Sequence, residues 1–132
     1  MEKDFDTWNQ KKKELHGKPQ DSILFFKEGE VWWVHLGVNV GFEMDGKGKE
    51  STRPVLVIKK YNKFSFLALP LSTSFKSNQY RIPVGMVDGK SAAANVSQIK
   101  NIDSKRLARK ICTLERDLFE NVKQKTSQVN FG

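Results

Sequence analysis

The stretch Val31-Trp32-Trp33-Val34-His35-Leu36 is the part of the sequence that decides the fold. Nearly every position holds a β-branched or aromatic residue, which is typical of a strand buried on both faces. Further short apolar segments follow between turn-forming residues, and we predict strands at residues 54–58, 64–71, 80–84, 91–99 and 109–113. Short strands at this spacing favour a compact antiparallel β-barrel, within a mainly β protein of the α+β kind.

Helical patterns flank the predicted barrel at both ends. Near the C-terminus, Thr113 is a suitable N-cap for a helix over about residues 114–128. Near the N-terminus, residues 5–16 place Phe5, Trp8 and Leu15 on one helical face. We therefore expect a helical extension over residues 1–24 and a single barrel domain over residues 25–132.

The composition limits the range of functions. The chain has 132 residues, of which 38% are hydrophobic, which suits one domain with one core. Its net charge of +8 favours a polyanionic partner such as RNA, DNA or an acidic protein. The sequence shows neither an apolar run long enough to span a bilayer nor a signal peptide, so we expect a soluble, cytoplasmic protein.

Familiar catalytic signatures are missing from the sequence. There is no phosphate-binding loop, no dinucleotide fingerprint and no His/Cys cluster, and Cys112 is the single cysteine. The acidic residues Glu43, Asp45 and Glu50 share one loop with lysines, so a solvated charged loop is a better interpretation than a metal site. We therefore expect no metal ion and no cofactor.

Arg53 is the residue whose position suggests chemistry. It follows a long polar loop and begins a predicted strand, and Ser72, Thr73 and Ser74 end the next strand. A guanidinium and a hydroxyl at one barrel rim suit a phosphodiester, and RNA carries its own nucleophile in the 2′-OH. From the residues alone, an ion pair of Arg53 with a loop carboxylate remains the simpler interpretation.

Four segments match the signature of a known family in order and spacing: residues 28–34, residues 41–43 with 53–58, residues 69–74, and residues 97–107. Together they resemble the MazF/PemK (Kid) toxins of bacterial toxin–antitoxin systems, over roughly residues 25–129. The resemblance implies an SH3-like antiparallel barrel with a C-terminal helix, a fold shared with CcdB-like toxins. The helix over residues 5–16 would be an addition to that fold.

The resemblance also implies an activity. Proteins of this family are homodimeric endoribonucleases that cleave single-stranded RNA, including mRNA, without a metal ion. The 2′-OH attacks and leaves a 2′,3′-cyclic phosphate, which stops translation and growth until an acidic antitoxin covers the RNA site.

Carried over by position, the resemblance makes Arg53 the catalytic arginine and Ser72 the catalytic hydroxyl. The family's threonine falls at Ser72, and the adjacent Thr73 is the alternative hydroxyl. Glu43 matches a glutamate that borders the site. His35 is a candidate acid or base, because its pKa suits proton transfer, although a structural role in its strand is the preferred interpretation.

Basic, aromatic and amide side chains elsewhere are candidates for binding RNA, by following its backbone or stacking on its bases. For any single lysine, a solvated surface charge is the simpler interpretation. The candidates are Phe42, Lys59, Lys60, Lys63, Phe75, Lys76, Arg81, Gln98 and Lys100.

Two other functions remain open at this stage. One is a non-catalytic toxin of the same fold that binds DNA gyrase. The other is an inactive barrel that binds RNA or protein. The pair Arg53-Pro54 and the hydroxyl residues after the third strand favour the enzyme.

Overall fold

The computed structural model describes residues 24–36, 52–73 and 80–132. The strands are β1 (Glu30–His35), β2 (Thr52–Asn62), β3 (Ser65–Ser72), β4 (Arg81–Val87), β5 (Lys90–Asn95), β6 (Lys100–Asp103) and β7 (Leu107–Thr113). A 3₁₀ turn, Ser104–Arg106, precedes β7, and the helix α1 (Arg116–Phe131) ends the chain. The helix predicted for residues 5–16 lies outside the described residues.

The described strands form one curled antiparallel sheet in the order β4-β5-β3-β2-β1-β7. The same strand, β3, pairs with β6 through Ser65–Ala68 and with β5 through Leu71 and Ser72. Because β5 and β6 pair with different parts of β3, the sheet bends along β3 and curls into a half-barrel. The predicted mainly β, barrel-like fold with a C-terminal helix is confirmed in this form.

The long central strand β2 sends alternate side chains to two separate apolar clusters. Leu56 and Ile58 join a cluster that includes Phe119 of α1. Val55 and Val57 join the other cluster, inside the curl of the sheet. The first strand behaves in the same way, with Val31 in one cluster and Trp32 in the other, so its predicted burial on both faces is confirmed.

The helix is held against the sheet near both of its ends. At the start, the ring of Phe119 lies over Gly29, where an added Cβ would come within 3.5 Å of the ring. Gly29 also has a φ of +88°, which favours glycine for a second reason. At the far end, the amide of Asn130 donates to the carbonyl oxygen of Val96 at 2.8 Å. No helix among the described residues is long and apolar enough to cross a membrane.

Three local features differ from the prediction. The strand predicted for residues 54–58 continues to Asn62, whose side chain then accepts from the backbone N–H of Phe64 at 2.7 Å. The helix is capped by Glu115 and not by Thr113, since the Glu115 carboxylate accepts from the N–H groups of Asp117 and Leu118. The strand β6 was missed because it has only 4 residues, which is too short for a periodic pattern.

A buried carboxylate ties β1 to β7. Glu30 is 7% exposed, and its Oε1 accepts from the backbone N–H of Lys27 at 2.7 Å and from Nε1 of Trp32 at 3.0 Å. Its Oε2 lies 2.9 Å from Nζ of Lys110 on β7. Burial raises the pKa of Glu30, but these hydrogen bonds and the lysine charge outweigh burial and lower the pKa below its usual value.

We expect Glu30→Gln to lower the free energy of unfolding at pH 7 by about 1–3 kcal/mol, because it removes charge-assisted hydrogen bonds from a buried site. The folded-state pKa is depressed, so the stabilisation is complete above the unfolded pKa of about 4.3 and is lost as pH falls through the lower folded value. Urea unfolding at pH 7 and at pH 3 would measure both effects. The exposed Glu120→Gln is the matched control, and equal acid sensitivity of the wild type and Glu30→Gln would contradict the assignment.

Candidate active site

A cleft of about 150 Å³ opens where β2 begins and β3 ends. One wall comes from β1 and β2, and the opposite wall comes from the hairpin that joins β4 to β5. Apolar side chains form part of the lining, and the residues that give it chemical character are Trp33, Thr52, Arg53, Thr73, Asp88 and Lys90.

Arg53 is buried at the base of this cleft. Its Nη1 donates to the carbonyl oxygen of Leu71 at 3.1 Å, which fixes the guanidinium against the end of β3. The β2–β3 register pairs Val55 with Pro70. Antiparallel strands run in opposite directions, so two residues further on this register brings Arg53 opposite Ser72. The pairing of β2 with β3 therefore brings the arginine and the hydroxyl residues together.

The two candidate hydroxyls occupy different environments. Ser72 is the last residue of β3, is half-buried and pairs with Ala93 of β5. Thr73 follows the strand, is exposed and lines the cleft beside Arg53. The register places Ser72 opposite Arg53, whereas Thr73 is the one of the two hydroxyl residues that lines the cleft.

The opposite wall was not recognised from the sequence. Asp88 and Gly89 have φ angles of +51° and +79°, which are typical of a two-residue type I′ turn between antiparallel strands. This turn holds the carboxylate of Asp88 and the ammonium of Lys90 at the cleft. The Asp-Gly pair between two apolar segments is a strong hairpin signal and would have revealed the turn.

Trp33 is a further cleft residue that the sequence analysis did not select. Its side chain lines the wall next to Pro54. Its indole Nε1 is buried and has no hydrogen-bond acceptor within the part of the chain that the structure describes. The indole therefore gives this wall an aromatic surface and a donor with no acceptor among the described residues.

The remaining predicted residues lie away from this cleft or outside the described part of the chain. His35 is 5% exposed and pairs with Thr52, and its backbone oxygen accepts from Nη1 of Arg106 at 2.9 Å. Phe42, Glu43, Phe75 and Lys76 fall in the segments that are not described, at residues 37–51 and 74–79. The others are spread over the sheet: Lys59 and Lys60 late in β2, Arg81 at the start of β4, Gln98 between β5 and β6, and Lys100 at the start of β6.

The cleft combines a fixed guanidinium, a hydroxyl and an ammonium group with one carboxylate. The guanidinium of Arg53 stays positively charged and is held by its bond to Leu71. Such a set suits a ligand with phosphate oxygens, because charged and hydroxyl donors line the same cleft. Over the described residues, no three His, Cys, Asp or Glu side chains are grouped so that they could hold a metal ion.

Comparisons with known proteins point in one direction. The sequence pattern of the family described as PemK-like, MazF-like toxin of type II toxin–antitoxin system matches residues 27–129. The fold is similar to MazF from Deinococcus radiodurans, with a TM-score of 0.67, 20% identity and coverage of 80% of this chain and 96% of that one.

The fold is also similar to an endoribonuclease solved with its cognate antitoxin from a mycobacterial species. That comparison has a TM-score of 0.61, 12% identity and coverage of 82% of this chain and 98% of that one. The MazE–MazF complex from D. radiodurans is also similar, with a TM-score of 0.60, 16% identity and coverage of 80% of this chain and 95% of that one. No curated protein sequence matches the chain.

We expect Asp88→Ala to lower the free energy of unfolding by about 1 kcal/mol, because alanine is strained at the positive φ of this turn. Asp88→Gly should leave the stability nearly unchanged, since glycine adopts this conformation without strain. Urea unfolding would compare the two, with Lys90→Ala in the adjacent strand as the control. Equal stability of Asp88→Ala and Asp88→Gly would rule out the type I′ turn.

Proposed function

Since the chain belongs to the PemK-like, MazF-like family of toxins of type II toxin–antitoxin systems, we propose that it is an endoribonuclease that cleaves single-stranded RNA, including mRNA. The observation that carries the proposal is the juxtaposition of Arg53 and Thr73 in one cleft. Arg53 is already fixed there by the carbonyl group of Leu71. An arginine held in place before the substrate arrives stabilises new charge without reorganising during the reaction.

The proposed reaction uses the 2′-OH of the RNA as its nucleophile. The 2′-oxygen forms a bond to phosphorus while the bond from phosphorus to the 5′-oxygen breaks. The 2′-OH loses its proton and the departing 5′-oxygen gains one, so the products are a 2′,3′-cyclic phosphate and a 5′-hydroxyl end. Because the nucleophile belongs to the substrate, the protein needs only to align the groups, stabilise charge and move protons.

Arg53 is proposed to stabilise the phosphorane. A guanidinium binds two non-bridging phosphate oxygens at once, and its charge opposes the negative charge that builds up there. An arginine stays protonated at all ordinary pH values, so it is unsuited to remove the 2′-OH proton. Its role is therefore electrostatic, with Lys90 adding positive charge at the same cleft.

Thr73 is proposed as the hydroxyl that holds the phosphate. It lines the cleft with Arg53, whereas Ser72 is half-buried in the β3–β5 pairing. The proton acceptor is proposed among the acidic groups and His35. Glu43 is the candidate that the family resemblance supplies, and Asp88 is a carboxylate on the described cleft wall. The deep burial of His35 in β1 makes it the weaker candidate.

We further propose a cognate acidic antitoxin as the partner. A mycobacterial endoribonuclease of the same fold has been solved with its antitoxin, and so has MazF from D. radiodurans with MazE. The net charge of +8 favours an acidic partner on electrostatic grounds. As a homodimer in the cytoplasm, the toxin would cleave mRNA and stop growth until the antitoxin binds.

We expect purified protein to cleave single-stranded RNA in the presence of EDTA and to leave 2′,3′-cyclic phosphate ends. Arg53→Lys should lower kcat by about 10²-fold or more, because lysine keeps the charge but loses the two-pronged contact. Gel analysis of the RNA with chemical identification of its ends would measure this. Intact RNA with a stably folded wild type would exclude the enzyme and favour a non-catalytic barrel, including one that binds gyrase.

The identity of the hydroxyl is tested by a matched pair of variants. We expect Thr73→Val to lower kcat by about 10²-fold, because valine has the shape of threonine without its donor. Ser72→Ala should retain most of the activity, since Ser72 is not among the residues that line the cleft. Single-turnover cleavage rates at saturating enzyme would separate the two, and the reverse order of effects would transfer the role to Ser72.

A further inference from the structure

The end of β2 opposite the cleft carries a second concentration of positive charge. Arg53 begins β2, whereas Lys59 and Lys60 lie late in the same strand. Seven residues of extended chain separate Arg53 from Lys60, which corresponds to roughly 20 Å. These lysines therefore belong to a separate part of the surface. We call it the hairpin surface, and it consists of Phe25, Lys27, Lys59, Lys60, Tyr61, Lys63 and Phe64.

Three aromatic side chains of the hairpin surface are open to solvent. Phe25 is 74% exposed, Tyr61 is 52% exposed and Phe64 is 37% exposed. By contrast, Phe26 is fully buried and packs on Phe66, with ring centroids 4.8 Å apart. Phe26 is therefore part of the core, whereas its neighbour Phe25 lies at the surface. The three exposed rings thus keep part of their surface open to a ligand.

Ammonium groups lie beside two of these rings. Nζ of Lys60 is 4.3 Å from the ring centroid of Phe25, and Nζ of Lys27 is 5.9 Å from it. On the turn, Nζ of Lys63 is 5.1 Å from the ring centroid of Phe64. The hairpin surface thus alternates aromatic rings with cations over a short distance.

The surface is also held rigid. The ammonium of Lys60 donates to the carbonyl oxygen of Phe26 at 2.8 Å, and its backbone N–H donates to Oε2 of Glu28 at 2.9 Å. The turn is closed by the side chain of Asn62, which accepts from the N–H groups of Phe64 and Ser65. A ligand that binds here loses little affinity to ordering of the protein.

The hairpin surface carries more positive than negative charge, which favours an anionic ligand. The hairpin surface has four lysines, and the carboxylate of Glu28 lies 3.9 Å from one of them, Lys59. The neighbouring β6 and 3₁₀ turn carry Lys100, Lys105 and Arg106 against Asp103, so their net charge is positive as well. Exposed rings beside excess cations match the needs of a single-stranded nucleic acid, whose bases stack while its phosphates meet positive charge. An acidic peptide would use the cations but would leave the flat faces of the rings unexplained.

We infer that the hairpin surface is a second binding site for single-stranded RNA, distinct from the cleft that holds Arg53. This inference rests on the proposed function, which makes RNA the ligand of the cleft. An RNA strand cleaved at the cleft would continue across the protein to the hairpin surface. The site raises the affinity for long strands and leaves the chemical step unchanged. Short strands that fill only the cleft gain nothing from it.

The test uses fluorescence anisotropy with 2′-O-methylated RNA, which binds but cannot be cleaved. Strands of about 4 and about 16 nucleotides span the range of site sizes found on small single-strand-binding barrels. The charge variant is Lys59→Glu/Lys63→Glu, and the stacking variant is Phe25→Ser/Tyr61→Ser. Lys60 is kept, since its ammonium also bonds to the backbone. The control is Arg116→Glu/Lys125→Glu, which makes the same change of charge at exposed positions of α1.

Both hairpin variants should bind the longer strand roughly tenfold more weakly, and the shorter strand as the wild type does. The charge variant should also reduce the slope of log affinity against log salt by about 0.7 for each lysine that no longer meets a phosphate. The stacking variant should leave that slope unchanged. Thermal unfolding of each variant verifies the fold, and on long cleavable RNA the loss should appear as a higher KM.

Unchanged affinity for the longer strand in both variants, or an equal loss in the α1 control, would overturn the inference. Weaker binding of polyglutamate together with unchanged RNA binding would reassign the surface to an acidic protein. If the wild type leaves ordinary RNA intact while the hairpin variants still lose affinity for the longer strand, the proposed cleavage fails and the second site stands.

Discussion

The strand β2 is buried on both of its faces, and a separate layer of the structure covers each face. Its odd-numbered side chains from Val55 to Val57 fill the inside of the curled sheet, and Leu56 and Ile58 lie beneath α1. Burial of apolar side chains is the main favourable contribution to folding, so a strand with two apolar faces requires two covering layers. The curl of the sheet supplies one layer and the C-terminal helix, which packs on Gly29 through Phe119, supplies the other.

In the same arrangement, polar groups near the core require hydrogen-bond or charge partners. Glu30 meets this requirement at the β1–β7 edge, where donors from Lys27, Trp32 and Lys110 keep a buried carboxylate charged. Arg53 meets it at the start of β2 by donating to the end of β3. The difference between them is what surrounds each group. Glu30 is enclosed by its partners, whereas Arg53 lines a cleft that a ligand can enter.

One strand therefore connects two surfaces of different character. At its start, β2 presents a fixed guanidinium to a small cleft, which suits chemistry on a single phosphate. At its end, it presents cations and exposed rings, which suit binding along a strand. Because β2 and β3 pair along their length, the distance between the two surfaces is set by the backbone and not by mobile side chains. A substrate that reaches both would be positioned by the fold itself.

By itself, the sequence determined the strands β1 and β3, the middle of β2 and the C-terminal helix, and its family resemblance singled out Arg53. The strands and the helix rest on local periodicity, which a sequence displays directly. Only the tertiary structure decided that Thr73 faces the cleft while Ser72 pairs with β5, that Asp88 and Lys90 form the opposite wall, and that Lys59 and Lys60 lie far from Arg53. Those outcomes depend on strand register and on the true length of β2. Register depends on how the apolar faces of two strands and the turn between them fit together, so the pattern of one segment alone does not determine it.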